Sequence, residues 1–365
     1  MKVMISGGGT GGHIFPALAI AEAIRRRIPG AEFLFVGAKG RMEMEKIPAA
    51  GYPIEGLWIS GLDRKKIFKN LSFPFKIVSS MSRSFRLIRQ FRPDVIIGVG
   101  GFASGPLLEA GSRKGIPTLI HEQNSYAGIT NKLLGRRVDR ICVAFEGMEK
   151  YFPKEKLVLT GNPIRQDLIE KKYTIEEAKK KLGIPADSKT ILSLGGSLGA
   201  RTLNQMFRDQ TKEIASRPDI HFIWQYGSLY EEEYGSCDTA RLSNVKAMKF
   251  IEDMSVAYAA ADLVVARAGA LTLTELAALR KAALLIPSPN VAEDHQTKNA
   301  LQLSEKGAAV LLKDENARKN GVRRMIEMLE NPEDLKILRE NISSFYRPEA
   351  DRAIVDEIIK IAKAS

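Results

Sequence analysis

The chain has 365 residues, 44% of them hydrophobic, with 55 Lys and Arg against 43 Asp and Glu, a net charge of +12. This length serves two moderate cores better than one, and the two cysteines, Cys142 and Cys237, fit neither a disulfide scaffold nor a metal or redox spacing, so a reducing compartment is expected. The most apolar stretch, Ala257 to Leu279, is interrupted by Asp262, Arg267 and Glu275, which excludes a membrane span, and a strand starting at Lys2-Val3 is expected to leave no room for a signal peptide.

The charge is unevenly shared. Up to Pro163 there are 25 Lys and Arg against 13 Asp and Glu, while the remainder is balanced at 30 against 30. Nucleic acid, an anionic membrane or an acidic ligand are the partner classes for such a basic half.

In chain order, apolar runs bounded by turn residues predict strands at Val3-Ser6, Glu32-Val36, Ile54-Trp58, Val95-Val99, Thr118-His121, Arg140-Val143 and Leu157-Thr160. The same style returns at Ile191-Leu194, His221-Gln225, Val245-Phe250, Leu263-Ala266, Ala283-Ile286 and Val310-Leu312. Helical spacing fills the intervals, as in Phe15 to Ile28. Alternation of this kind predicts α/β architecture with mainly parallel sheets. The turn Gly161-Asn162-Pro163 marks the expected boundary between two domains, and a last helix near Ala350-Ala364 is expected to pack back on the first.

Glycine-rich turns follow the strands. Gly7-Gly8-Gly9-Thr10-Gly11-Gly12-His13 formally matches G-x-G-x-x-G, but the second strand ends in Gly37-Ala38-Lys39 without the acid that a dinucleotide ribose needs, and no G-x-x-x-x-G-K-[ST] exists. The glycines serve either a tight turn alone or a phosphate at a helix N-terminus. The loop Gly98 to Pro106, with Gly100, Gly101, Ser104 and Gly105, and the loop Gly195 to Ala200 repeat the design, and ligands of open α/β sheets bind beyond the carboxyl ends of strands.

Among single residues, His13 closes a glycine turn and suits general-base work near neutral pH, or merely packs or caps. His121-Glu122-Gln123-Asn124 offers a second polar set, in which Glu122 can orient a base or be one. Glu275, in the helix after Arg267-Ala268-Gly269, can accept from a ribose diol or be an ordinary surface glutamate. Gln296 can bond sugar hydroxyls, and Asp294 can be an N-cap. No D-x-D pair occurs and the four histidines lack ligand spacing, so no metal is expected; a leaving diphosphate would rest on helix N-termini and a cation such as Arg165.

From Arg64 to Arg92 there are nine basic residues and no acid, with Phe75, Val78, Met81, Phe85, Ile88 and Phe91 at helical spacing. This reads as a basic amphipathic helix for an anionic membrane or as an apolar core face with solvated bases. Leu71, Phe73, Phe75, Lys69 and Lys76 are the candidate membrane residues. Without an accompanying nucleic-acid motif, nucleic acid is not an expected partner.

Taken in order, Gly-Gly-Gly-Thr-Gly-Gly-His, Gly-Gly-Phe-Ala-Ser-Gly-Pro, His-Glu-Gln-Asn, Gly-Asn-Pro-Ile-Arg, Gly-Gly-Ser-Leu-Gly-Ala and Gly-Ala-Leu-Thr-Leu-Thr-Glu resemble the MurG-type glycosyltransferases of bacterial peptidoglycan synthesis, over nearly the whole chain. The resemblance implies the GT-B architecture, two Rossmann-like parallel-sheet domains facing across a cleft. Residues 1–163, with a closing helix at about 346–365, would bind acceptor and membrane; residues 164–345 would bind UDP-GlcNAc. It implies inverting transfer of GlcNAc from UDP-GlcNAc to the C4 hydroxyl of MurNAc in lipid I (undecaprenyl-diphosphate-MurNAc-pentapeptide), giving lipid II. The place implied is the cytoplasmic face of the inner membrane, peripherally, with cell-wall synthesis proteins as candidate partners and no cofactor.

By the same resemblance, His13, assisted by Glu122, would be the base. Ser197 and Arg165 would meet the diphosphate, the Ile251 backbone the uracil edge, and Leu271, Thr272 and Glu275 the nucleoside. Asn124, Gln296, Thr10, Gly11 and Gly12 would bind the GlcNAc ring. Leu198, Phe102 and His295 depart from the family's usual glutamine, tyrosine and second glutamine. The alternatives are transfer to another membrane lipid such as diacylglycerol, a nucleotide-binding oxidoreductase, and a non-catalytic lipid-binding protein.

Overall fold

The computed structural model describes residues 1–61 and 71–363. The chain divides into two compact units, the first running to Ile164 and resuming at Arg347, the second spanning Arg165–Tyr346.

The first unit holds seven strands: β1 (Lys2–Ser6), β2 (Glu32–Ala38), β3 (Ile54–Leu57), β4 (Val95–Gly98), β5 (Thr118–Glu122), β6 (Arg140–Val143) and β7 (Leu157–Leu159). They are hydrogen-bonded in the order β3-β2-β1-β4-β5-β6-β7, every pair parallel. Val3, Met4 and Ile5 of β1 and Val95, Ile96 and Ile97 of β4 are all fully buried. Helices cover both faces of a parallel sheet, so its strands read as unbroken apolar runs rather than as alternation.

The helix Ala350–Lys363 closes this unit. Ile354, Val355, Ile358 and Ile361 share a core with Ile14, Ile20 and Ile24 of the helix Gly11–Arg27. Each such side chain contributes about 1.5–3 kcal/mol by leaving water. The ion pairs Arg26–Asp351 and Arg140–Glu357, at 2.6 and 3.0 Å, are partly exposed, where such pairs are worth about 0–1 kcal/mol. Apolar burial therefore dominates this packing, and the pairs set register.

The second unit holds β8 (Lys189–Leu194), β9 (Ile220–Gln225), β10 (Val245–Met248), β11 (Leu263–Ala266), β12 (Ala283–Leu285) and β13 (Val310–Leu311), in the order β10-β9-β8-β11-β12-β13 and again all parallel. Its core is aromatic: Phe207 stacks on Trp224 with ring centroids 5.0 Å apart. The indole N–H of Trp224 donates to Asn204 Oδ1 at 3.1 Å, and Asn204 Nδ2 donates to the Tyr226 carbonyl at 2.9 Å, so these buried polar groups are satisfied.

All thirteen expected strands form. The run expected to reach Phe250 stops at Met248, because the next amide that pairs sideways, that of Ile251, bonds the Gln225 side chain instead of a backbone carbonyl. In each sheet the order reverses beside the first strand, between β1 and β4 and between β8 and β11. At such switch points successive loops diverge and leave room for a ligand. The glycine turns sit at these two places.

Candidate active site

In the first unit, β1 runs through Gly7 to Thr10 into the helix Gly11–Arg27, and β4 runs through Gly100 and Gly101 into the helix Ser104–Arg113. The two turns pack backbone on backbone. Gly100 and Gly101 have φ of 98° and 88°, and a Cβ on Gly101 would lie 2.5 Å from the Gly8 carbonyl oxygen. One on Gly100 would lie 2.8 Å from Cδ2 and Nε2 of His13. Only glycine permits both the positive φ and this approach.

His13 stands in the first turn of its helix with Nδ1 2.9 Å from the Gly8 carbonyl oxygen. A carbonyl only accepts, so Nδ1 carries the hydrogen, and in the neutral ring Nε2 carries the lone pair. Thr10 is the N-cap, and its carbonyl accepts from the His13 and Ile14 amides at 3.1 and 3.2 Å. Thr10 and Gly12 are exposed and Gly11 half-buried, so this helix start faces outward.

Glu43, which the sequence reading passed over, lies beneath the turn. It is fully buried; Oε2 accepts from the Gly9 amide at 2.8 Å and Oε1 from the Ala38 amide at 2.9 Å. Gly8 and Gly37 make room for it, since a Cβ on either would strike its side chain. Two glycines at the ends of neighbouring strands were the sole hint in the sequence.

Two expectations need correcting here. Ser104 was expected, with Gly100, Gly101 and Gly105, in a loop facing a ligand beyond the end of its strand. Its hydroxyl is instead buried, 2.9 Å from the Ser6 carbonyl and 2.8 Å from the Gly100 carbonyl, and ties the two turns together. Gly105, half-buried in the same first helical turn, has no such commitment in its absent side chain. Glu122 was a candidate base. It is buried at the end of β5, with Oε1 accepting from the Asn124 amide and Nδ2 at 3.1 and 3.2 Å and Oε2 from the Gly128 amide and Asn131 Nδ2 at 3.0 and 2.8 Å. Four donors occupy its two oxygens, so it organises the loop carrying Asn124.

Beside it, His121 is fully buried. Nε2 donates to the Gly161 carbonyl at 3.0 Å, and Gln123 Nε2 donates to Nδ1 at 3.1 Å. Burial lowers its pKa to about 4, with the Gly161 bond opposing, so the ring is neutral and structural.

In the second unit, β8 leads through Gly195 to Ala200 into the helix Arg201–Asp209. Gly199 has φ 89°, and a Cβ there would strike the Tyr226 carbonyl; Gly227 in turn abuts the Gly199 amide. Ser197 and Leu198 are exposed at the crest, and the Ser197 carbonyl accepts from the Ser228 amide at 3.1 Å. Next to this turn, β11 leads into the helix Ala270–Ala278, whose first turn carries Leu271 and Thr272.

Glu275 follows one turn later. Its Oε2 accepts from the Tyr258 hydroxyl at 2.8 Å, and Arg165 Nε stands 3.7 Å from Oε1 and 3.8 Å from Asp167 Oδ1. Burial raises the Glu275 carboxyl above the usual range, against the pull of Arg165 and the Tyr258 bond. At more than 3.5 Å the Arg165 contacts are ion pairs rather than hydrogen bonds, so the half-exposed guanidinium is not locked.

Two further assignments narrow. The Ile251 amide donates to Gln225 Oε1 at 3.0 Å, and Gln225 Nε2 donates to the Gly196 carbonyl at 3.0 Å. That amide is therefore committed within the chain, so of the Ile251 backbone only the carbonyl is left for the uracil contact expected of it. Gln296 Oε1 accepts from the Ser288 amide at 2.9 Å, so of its side-chain amide the nitrogen is the group left for the sugar contact expected of it. Glu293 and Asp294, just before it, both have positive φ, 58° and 51°, a strained entry to the helix His295–Ser304. Among the described residues no three His, Cys, Asp or Glu side chains gather as a metal would require.

The amphipathic stretch forms the helix Phe73–Phe91, and its apolar stripe divides. Ile88 is buried, and Phe73, Met81, Phe85 and Phe91 pack on the core. Phe75 and Val78 are 71% and 70% exposed, with Leu71 at 74% and Trp58 at 49%. Lys76 Nζ lies over the Trp58 ring and donates to Ser60 Oγ at 2.9 Å. Lys69 and its basic neighbours Arg64, Lys65 and Lys66 lie outside the described residues. No helix among the described residues is long and apolar enough to cross a membrane.

Two parallel-sheet α/β units, each with glycine turns opening helices at its switch point, have the architecture of GT-B glycosyltransferases. The chain belongs to glycosyltransferase family 28: residues 3–143 match its N-terminal domain and residues 190–351 its C-terminal domain. A protein of Bacteroides fragilis named UDP-N-acetylglucosamine--N-acetylmuramyl-(pentapeptide) pyrophosphoryl-undecaprenol N-acetylglucosamine transferase is 50% identical, over 100% of this chain and 97% of its own. A protein of the same name from Cytophaga hutchinsonii is 49% identical, over 99% and 96%. The crystal structure of Acinetobacter baumannii MurG superposes with a TM-score of 0.77 at 30% identity, covering 98% of this chain and 99% of that one. A UDP-GlcNAc 2-epimerase from Neisseria meningitidis, at 14% identity and a TM-score of 0.69 over 99% and 100%, shares the fold alone.

Proposed function

We propose that this protein transfers GlcNAc from UDP-GlcNAc to the muramoyl-pentapeptide of lipid I, giving lipid II. The observation that carries this reading is the half-identity, end to end, with transferases named for that reaction. Its support within the chain is a donor-side set in the second unit whose chemistry suits a uridine diphosphate sugar.

In this reading Glu275, oriented by Tyr258, accepts from the ribose hydroxyls. The exposed Ser197 turn and the N-terminus of the helix Arg201–Asp209 receive the diphosphate, joined by Arg165. Helix amides and a cation aimed at the leaving oxygen stabilise charge as it develops. In the second unit Leu271 and Thr272 hold the nucleoside and Gln296 bonds the sugar; in the first, Asn124, Thr10, Gly11 and Gly12 are the residues offered to GlcNAc. Gly100, Gly101 and Gly105 flank the acceptor.

His13 is the base. With Nδ1 engaged by Gly8, Nε2 takes the proton from the acceptor C4 hydroxyl as that oxygen attacks the anomeric carbon and UDP departs, inverting the configuration. Glu122 positions Asn124 and takes no proton. The first two turns of the helix Phe73–Phe91, with Leu71 and Trp58, rest on an anionic cytoplasmic leaflet, which makes the enzyme peripheral.

The test is transfer of radiolabelled GlcNAc to a short-chain lipid I analogue, with diacylglycerol offered in parallel. Label on the lipid I analogue alone is expected. Label on diacylglycerol alone would move the protein to a different acceptor class.

A further inference from the structure

Glu43 is a charged residue without access to solvent, and among the described residues no lysine or arginine pairs with it. Its carboxylate is met by the amides of Gly9 and Ala38, one on each oxygen. An apolar side chain would fill this space without the penalty of burying a charge. The position of the charge therefore asks for a use.

The amide of Gly9 and the carbonyl of Gly8 belong to one peptide bond. That bond is trans, as are all peptide bonds among the described residues, so its N–H and C=O point in opposite directions. Glu43 Oε2 accepts from the N–H at 2.8 Å, and His13 Nδ1 donates to the C=O at 2.9 Å. Gly101 packs over the same peptide, where a Cβ would come within 2.5 Å of the Gly8 carbonyl oxygen and 3.2 Å of its carbon. Carboxylate, peptide and imidazole thus form one line of hydrogen bonds, held from the side.

We infer that Glu43 is the positioning residue of His13, a carboxylate acting on the imidazole through an intervening peptide group. A negative charge at the peptide N–H polarises the amide and makes its carbonyl oxygen a stronger acceptor, since linked hydrogen bonds reinforce one another in a low-dielectric interior. The stronger carbonyl holds the hydrogen on Nδ1, keeps Nε2 as the proton acceptor, and stabilises the imidazolium once the sugar hydroxyl has given up its proton. These are the services that the carboxylate of a Ser-His-Asp triad performs by direct contact. The Ala38 amide, on the other oxygen, fixes the carboxylate's aim.

This inference rests on the reading of His13 as the base, and its test separates the two. Glu43→Gln keeps the shape and removes the charge. In the folded variant, kcat for transfer to the lipid I analogue is expected to fall about tenfold to a hundredfold with KM for UDP-GlcNAc unchanged, less than the roughly 10⁴ seen when a triad carboxylate is neutralised directly. The ¹⁵N resonances of His13, labelled in the full-length protein, are expected to show loss of the pure Nδ1–H tautomer. Wild-type kcat with unchanged His13 resonances overturns the inference.

Should Glu43→Gln not fold, Gly37→Ala takes its place, because the new methyl would lie 2.5 Å from Glu43 Cγ and push the carboxylate off the Gly9 amide without discharging it. Unchanged His13 resonances there are equally fatal. The resonances report the coupling whether or not His13 is the base. If His13→Ala keeps its activity while Glu43→Gln shifts the tautomer, the base assignment falls and the coupling stands.

Discussion

Tyr258 and Glu275, the latter on the helix Ala270–Ala278 proposed to bind the nucleoside, share a hydrogen bond of 2.8 Å. The tyrosine is fully buried and fixes Oε2, which leaves Oε1, 3.7 Å from Arg165, as the oxygen free to turn toward a ligand. Tyr258→Phe removes the only phenolic donor on that carboxylate. A hydrogen bond to a charged group is worth about 1.5–3 kcal/mol, so KM for UDP-GlcNAc should rise about tenfold or more with kcat less affected. An unaltered KM would show that Glu275 needs no such orientation.

The same carboxylate, in its proposed role, is expected to make donor binding pH-dependent. Burial raises its pKa, so it takes up a proton at higher pH than an ordinary glutamate. Affinity that needs the ionised form is complete above the raised value and lost as pH falls through it. Calorimetric titration with UDP-GlcNAc between pH 5 and 8 should show weakening on the acid side, and Glu275→Gln should bind weakly and evenly across the range. A wild-type profile as flat as the variant's would remove Glu275 from the donor site.

His13→Ala deletes the proposed proton acceptor while leaving the glycine turns in place. General-base help is worth roughly 10²–10⁴ in rate, so turnover should drop by that much with little change in KM for UDP-GlcNAc. Steady-state kinetics against both substrates would read this, and a turnover near wild type would assign the proton elsewhere.

His121 controls acid stability rather than catalysis. Its pKa of about 4 in the folded chain lies below the value of about 6.5 for an unfolded histidine. The unfolded state therefore binds more protons between these values, and stability rises with pH across that window. The contribution is complete above about pH 6.5 and lost progressively toward pH 4, on the order of 3 kcal/mol. Urea midpoints from pH 4 to 7 should fall more steeply with acid in the wild type than in His121→Gln. Parallel slopes would mean that the imidazole is protonated in the folded state after all.

The paired substitution Phe75→Ser and Val78→Ser removes the two most outward apolar side chains of the helix Phe73–Phe91. Full burial of each is worth about 1.5–3 kcal/mol, so partition onto phosphatidylglycerol vesicles should fall by tenfold or more. Added salt should weaken the wild type as well, by screening its basic residues. Equal binding by the two proteins would place the lipid contact elsewhere.

Much of the molecule was legible from one dimension. Parallel strands covered on both faces appear as short continuous apolar runs, and the glycines that end them mark where backbone approaches backbone. That is why Val3-Ser6, Leu263-Ala266 and their counterparts were found almost to the residue, and why the turns at Gly7, Gly100 and Gly195 could be placed at the carboxyl ends of their strands. The stripe of the helix Phe73–Phe91 was visible too, but its division was not, because spacing gives a face and only the neighbouring strands and helices decide how much of that face is covered.

By itself, then, the order of residues determined the elements, their parallel pairing style, the family and the shortlist of polar groups. The tertiary structure decided what each polar group is doing. Glu122 became a loop anchor, Ser104 a brace, the Ile251 amide a partner of Gln225, and Glu43 a buried charge behind His13. Hydrogen bonds such as Gly9 to Glu43 or Ile251 to Gln225 join residues 34 and 26 positions apart. A carboxylate reads the same in sequence whether its oxygens face a ligand or four amides, and only the folded chain brings those amides to it.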